Sequence, residues 1–157
     1  MDANTAVLKV DLLLSVTRKA KEFLRMQERN TLQKRIVHET LIHMANHPTA
    51  DEVVTEVQSA YPSISRATVY RILNKLADSG EALRIRINNG ADHFDHQTFP
   101  HYHVHCSECG KVADVAMPVE ELVDMLSDTS GYKITGYSLQ FDGLCPECAK
   151  LKAERGA

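Results

Sequence analysis

Two Cys-x-x-Cys pairs, CSEC at 106–109 and CPEC at 145–148, constrain this chain more than any other feature. Each pair presents two sulfurs from one turn, and two pairs complete the tetrahedral thiolate set that zinc favours. Such a site is closed and adds its binding energy to folding. The span between the pairs, from Gly110 to Leu144, is longer than a compact zinc ribbon uses. It has room for a strand near Lys111–Val115, a helix from Pro118 to about Asp128, and a pair of strands within YKITGYSLQFDG. In that helix Val119, Leu122, Val123 and Leu126 form an apolar stripe. A zinc ion on Cys106, Cys109, Cys145 and Cys148 would tie together the two ends of a small α/β domain. The competing reading, free or redox-active thiols, accounts less well for two matched pairs.

The first pair follows directly on HYHVHC, residues 101–106. Read as a strand, this stretch alternates faces, with His101, His103 and His105 on one side and Tyr102, Val104 and Cys106 on the other. The histidines therefore do not belong to the sulfur site, and one strand can serve two metals.

Composition decides where such cysteines live. The chain of 157 residues is 43% hydrophobic and 25% charged, as soluble globular proteins are. No apolar run approaches the roughly 20 residues that span a bilayer. The N-terminus lacks a basic leader, and its apolar stretch is broken by Lys9 and Asp11, so it does not read as a signal peptide. A cytoplasmic protein is expected, in which cysteines serve as metal ligands rather than disulfides. The net charge of −3 is concentrated after residue 97, with all four cysteines. Most arginines lie before it, which suggests two functional halves.

The first half reads as helices followed by a hairpin. Helical patterns run from about Lys9 to Glu28 and from about Leu32 to Asn46, where Pro48 stops the second. Thr49-x-x-Glu52 has the form of a capping box for a third helix, Ala50 to about Ala60. Ser65 can cap a fourth, running to about Ala77. In that last helix Val69, Ile72, Leu73 and Leu76 form a buried stripe, while Ala67, Tyr70, Arg71 and Asn74 occupy the opposite face, with Lys75 at its edge. Arginine and asparagine can pair bidentately with base edges, and tyrosine can reach phosphates. Next, Leu83, Ile85 and Ile87 alternate with Arg84 and Arg86, and Asn89-Gly90 is a tight-turn pair. Helix, turn, helix and basic-edged hairpin is the order of a winged helix-turn-helix; an ordinary surface helix beside a hairpin is the simpler alternative.

The chain resembles the ferric uptake regulator (Fur) family, most closely its peroxide-sensing PerR-like branch. The likeness extends from about Arg18 and is carried by HPTADEV at 47–53, YPSISRATVYRILNKLADSG at 61–80, HFDHQTFPHYHVHCSECGKVADV at 93–115 and CPEC at 145–148. It implies an α+β chain: a winged helix-turn-helix domain over 1–92, a hinge bearing metal ligands over 93–101, and a dimerisation domain over 102–157 holding the zinc. It also implies a homodimer that binds palindromic double-stranded DNA, with no organic cofactor and no membrane partner. The DNA-facing positions are then Ser65, Arg66, Ala67, Thr68, Tyr70, Arg71 and Asn74, with Arg84 and Arg86 on the wing and Arg18 and Lys19 ahead of it.

Carried over residue by residue, the family's regulatory metal site falls on His47, Asp95, His101, His103 and Asp114. Three imidazoles and two carboxylates suit Fe²⁺ or Mn²⁺. An ion joining His47 to the distant strand would set the angle between the domains, and so the spacing of the recognition helices. Asp95 and Asp114 stand where the iron-sensing branch more commonly has glutamate, which favours peroxide sensing; an iron-responsive repressor is the alternative. In the peroxide branch, Fe²⁺ in this site reacts with hydrogen peroxide, a ligating histidine is oxidised, and the repressor releases DNA. His47 and His101 are the expected targets, and Mn²⁺ in the same site is inert.

The chain departs from the family pattern at Thr31-Leu32-Gln33-Lys34, where Thr-Pro-Gln-Arg is usual. His93, His96 and His105 are extra histidines, read as surface or hydrogen-bonded. A third family metal site would need ligands near positions 100 and 102, and Pro100 and Tyr102 argue against it. A zinc enzyme such as a nucleobase deaminase is disfavoured, because no H-x-E motif accompanies the cysteines and four thiolates leave no place for a reacting water. The chain is thus expected not to be an enzyme.

Overall fold

The computed structural model describes residues 3–88, 90–117 and 122–155, those up to 19 by their backbone alone. Helix α1 (Ala3–Met44) is followed by α2 (Ala50–Ala60), α3 (Arg66–Asp78), strands β1 (Leu83–Ile85) and β2 (His93–Asp95), then β3 (Tyr102–Cys106), β4 (Val112–Val115), a 3₁₀ turn (Leu122–Met125), β5 (Gln140–Gly143) and α4 (Pro146–Arg155). The class is α+β. No helix among the described residues is long and apolar enough to cross a membrane.

The main core lies among the first three helices. Val37 and Leu41 of α1, Val53 and Val57 of α2, and Val69, Ile72, Leu73 and Leu76 of α3 are buried together, with Phe94 of β2 closing one side. The capping box at Thr49 is formed: its hydroxyl accepts from the Glu52 N–H, and the Glu52 carboxylate accepts from the Thr49 N–H. Ser65 caps α3 by accepting from the Thr68 N–H. These caps start α2 and α3 with their apolar stripes facing inward.

Two sheets divide the strands. β1 and β2 pair antiparallel, with Arg84 opposite Phe94. The second sheet has the order β4-β3-β5, with β4 antiparallel and β5 parallel to β3. Ile85 and Ile87, on and just beyond β1, share a small core with Val112 of β4. This apolar contact joins the two halves beside the stretch from 96 to 101, which crosses between the sheets.

Three expectations need correction. The two helices expected over 9–28 and 32–46 are one continuous helix. Leu32 replaces the proline that would break it, and the Thr31 hydroxyl donates to the Gln27 carbonyl one turn back, so nothing interrupts the ladder. The helix expected from Pro118 to Asp128 is a 3₁₀ turn over Leu122–Met125 where it is described, and Leu126 is exposed; residues 118–121, with Val119, lie outside the described residues. YKITGYSLQFDG supplies one strand, Gln140–Gly143, rather than two. Tyr132, Ile134 and Tyr137 before it are partly exposed, and among the described residues no strand of either sheet pairs with that stretch. Of the Asn89-Gly90 turn, Asn89 lies outside the described residues, and the Gly90 N–H donates to the Ile87 carbonyl.

Candidate metal centres

Five side chains remote in sequence converge where the two sheets meet. His47 sits in the turn between α1 and α2, Asp95 ends β2, His101 immediately precedes β3, His103 lies on β3, and Asp114 lies on β4. One ligating atom from each falls within 4.8 Å of all the others. His47 Nε2 is 2.8 Å from Asp114 Oδ1 and 3.7 Å from Asp95 Oδ2. His101 Nε2 stands 2.9 Å from Asp95 Oδ2 and 3.3 Å from Asp114 Oδ1. His103 Nε2 is 3.6 Å from each of those oxygens. Strand register produces this. β3 and β4 pair with His103 opposite Asp114, and alternation along the chain puts His101 on the same face.

The supporting hydrogen bonds aim these groups inward. His101 Nδ1–H donates to the Phe99 carbonyl, which cannot itself donate; Nε2 is thereby left with a lone pair. The Gln97 N–H takes Asp95 Oδ1, and the Gln97 side chain reaches Asp114 Oδ2 at 3.4 Å. One residue of the crossing stretch, Gln97, therefore braces both carboxylates, and no ligand motif marks it in the sequence. Burial opposes ionisation of Asp95, but the neighbouring His103 imidazole, the Gln97 N–H and the nearby His47 and His101 outweigh it and hold the carboxyl below its usual range. Burial lowers the His47 imidazole despite the pull of Asp95 and Asp114, which favours the neutral, ligating form.

What remains is a cage of acceptors. Asp95 Oδ2, His101 Nε2 and His103 Nε2 are buried with no hydrogen-bond partner, since their close approaches lack hydrogen-bond alignment. Orphaned polar atoms of this kind are costly, and converging lone pairs repel unless a cation lies between them. A mixed set of imidazole nitrogens and carboxylate oxygens fits a borderline divalent ion. Asp95 and the three imidazoles are largely shielded, whereas the Asp114 side chain is 45% exposed and marks the open side.

The four cysteines form a second cluster, all as free thiols, with their sulfurs within 4.8 Å of one another. The parallel pairing of β3 and β5 sets Cys106 opposite Gly143, so Cys145 emerges beside Cys106. Gly110, with φ of 77°, permits the tight turn that returns Cys109 toward them. The Cys145 N–H points at Cys106 Sγ, and with the Cys109 amide it holds that thiol down to about 6. Cys145 and Cys109 beside Cys148 push its thiol up to about 12. The four sulfurs thus resist ionising together, and a cation among them removes that conflict.

The sequence model of the ferric uptake regulator family matches residues 25–142. The chain belongs to the ferric uptake regulator family. It is 32% identical over 123 residues to the peroxide operon regulator of Bacillus subtilis, covering 78% of this chain and 85% of that protein. It is 31% identical over 121 residues to the peroxide-responsive repressor PerR of Staphylococcus epidermidis, covering 76% and 81%. Among solved structures, the Campylobacter jejuni peroxide stress regulator superposes with a TM-score of 0.66 at 28% identity, over 82% of this chain and 98% of that one. The Francisella tularensis ferric uptake regulator with iron shares the fold at a TM-score of 0.63 and 22% identity, over 74% and 91%.

In this Fur-family chain the residues expected to face DNA differ in their freedom. Ala67, Arg71 and Asn74 lie exposed along α3, with Thr68 half-buried, and Arg86 is exposed beyond β1. Ser65 is engaged as the cap of α3. Arg66 pairs with Asp51 at 2.6 Å and stacks over Tyr70, whose hydroxyl also donates to Asp51. Arg84 donates to Asn74 Oδ1 at 2.7 Å and lies over Phe94, tying β1 to α3. The side chains of Arg18 and Lys19 lie outside the description. The extra histidines have intramolecular partners: His105 meets Asp142 on β5 at 3.1 Å, His96 lies 3.4 Å from Asp95 Oδ1, and His93 donates to the His47 carbonyl.

Proposed function

We propose that this regulator is a cytoplasmic, metal-dependent transcriptional repressor that senses hydrogen peroxide through its His47, Asp95, His101, His103 and Asp114 cluster. The observation that carries this reading is the origin of the ligands: His47 lies in the helical half, Asp95 on β2 against it, His103 and Asp114 in the second sheet, and His101 immediately before that sheet. A divalent ion held by all five would fix one half against the other. The winged helix-turn-helix comprises α1 to β1, with α3 entering the major groove and β2, supplied by the hinge, pairing with β1 to close the wing. Ala67, Thr68, Arg71 and Asn74 read bases there, and Arg86 contacts backbone; Ser65, Arg66, Tyr70 and Arg84 brace that surface, and Arg18 and Lys19 add charge toward phosphates. We assign residues 1–92 to DNA binding, 93–101 to the hinge and 102–157 to dimerisation and zinc. Tyr132, Ile134, Tyr137 and Phe141 expose apolar surface in that last part, suited to a second copy and hence to a palindromic operator.

Zinc on Cys106, Cys109, Cys145 and Cys148 is structural, with every position filled by sulfur and none left for substrate. In the five-residue site Fe²⁺ would supply one-electron chemistry toward peroxide, and Mn²⁺ would bind without it. His47 and His101 offer oxidisable imidazoles within the site, and the exposed Asp114 side gives a small oxidant its way in. Losing either imidazole as a ligand releases the halves from one another, and specific DNA binding weakens.

Mass spectrometry of the Fe²⁺-loaded protein after brief exposure to peroxide tests this. One added oxygen on peptides containing His47 or His101, absent from the Mn²⁺-loaded protein, is expected. Unmodified peptides together with iron-dependent DNA binding select an iron-responsive repressor instead.

A further inference from the structure

His93 is a buried histidine that neither centre uses, and its contact bears on the most constrained ligand. His47 has φ of 53°, in the left-handed region that residues other than glycine rarely adopt. It also precedes Pro48, a position that sterics push toward extended backbone. Such a conformation persists only where neighbouring structure over-determines it. The neighbour is β2. The Phe94 N–H donates to the Pro48 carbonyl at 2.9 Å, and Thr49 bridges to His93. His93 Nδ1 reaches the His47 carbonyl; that oxygen only accepts, so Nδ1 carries the proton.

We infer that His93 is a positioning residue for the five-ligand site: its Nδ1–H, held by the His47 carbonyl, locks the left-handed backbone that aims the His47 ring at Asp114 and Asp95. The inference rests on the reading of that cluster as a metal site. β2 carries Asp95 two residues further on, so one strand sets a ligand directly and orients a second through its backbone. Ligand-orienting partners of this kind commonly change metal affinity by about 10- to 100-fold.

The test is Mn²⁺ titration of the full-length, zinc-loaded protein and three variants, alongside zinc content and thermal unfolding without Mn²⁺. An asparagine amide nitrogen can take the place of Nδ1, whereas a glutamine amide reaches toward Nε2. His93→Asn is expected to bind Mn²⁺ much as the parent does. His93→Gln and His93→Ala are expected to bind about 10- to 100-fold more weakly, with zinc content unchanged. If His93→Ala fails to fold, the comparison of asparagine with glutamine carries the test. Parent-like affinity in His93→Gln, or equal loss in both amide variants, overturns the positioning role. So does a loss of affinity matched in each variant by a lower unfolding temperature without Mn²⁺. A parent protein that binds no Mn²⁺ removes the metal reading itself and this inference with it.

Discussion

His47 Nε2 and Asp114 Oδ1 lie 2.8 Å apart although 67 positions of sequence separate them. The first belongs to the turn that ends α1 and the second to a strand of the other half. Any ion that engages both must resist their separation, so metal binding and the relation of the halves are one equilibrium.

Asp114→Ala removes the exposed carboxylate and leaves the three imidazoles and Asp95 in place. Calorimetry should show Mn²⁺ binding weakened at least tenfold, with zinc content unchanged, and DNA binding should then need more Mn²⁺. Unaltered Mn²⁺ affinity would contradict a role for Asp114 as a ligand.

Cys148→Ser leaves three thiolates where tetrahedral zinc needs four. Zinc measured after chelator challenge should fall, and the unfolding temperature should drop, because metal binding at such a site is folding energy. Full retention of zinc and stability would remove the structural role.

Arg71 is exposed on α3 and has no ion-pair partner among the described residues. Arg71→Ala should cost about 1–3 kcal/mol in specific DNA binding without changing metal content or unfolding temperature. Arg84→Ala should differ by also lowering stability, because it removes the link from β1 to Asn74. Fluorescence anisotropy and thermal melts on both variants separate the two roles.

Both oxygens of Glu81 accept from Lys34 at 2.7 Å, and Lys34, then Ser79, holds its carboxyl below the usual range. A carboxyl lowered in the folded state stabilises above its unfolded pKa, and that stability is lost as pH falls through the folded value. Lys34→Met should therefore melt slightly below the parent at neutral pH, and the gap should close on acidification past about pH 4. The pair is solvent-accessible, so the difference is small; a gap independent of pH would show that the contact contributes through packing alone.

Local signals carried much of this molecule. The capping box at Thr49, the Ser65 cap and the stripe Val69, Ile72, Leu73 and Leu76 depend on neighbours within one helical turn, and all formed as their spacing implied. The break expected near residue 30 did not form, because helix propagation needs only the absence of a breaker, and Leu32 is not one. YKITGYSLQ shows the opposite limit. Its residues suit strands, but strand formation needs a partner surface, and periodicity does not reveal whether one exists.

At the metal centres the division is sharper. Residue chemistry is local, so the sequence by itself determined which groups can ligate: two cysteine pairs, and histidines alternating on a strand beside them. Resemblance to a family added His47, Asp95 and Asp114 from elsewhere in the chain. Only the tertiary structure decided that these five meet within 4.8 Å, through the antiparallel register of His103 with Asp114 and the turn at His47. It also decided the roles of the extra histidines, giving His105 to Asp142 and His93 to the His47 carbonyl. A hydrogen bond depends on ångström-scale placement across 46 residues, as between His47 and His93, and no periodicity in the chain encodes that distance.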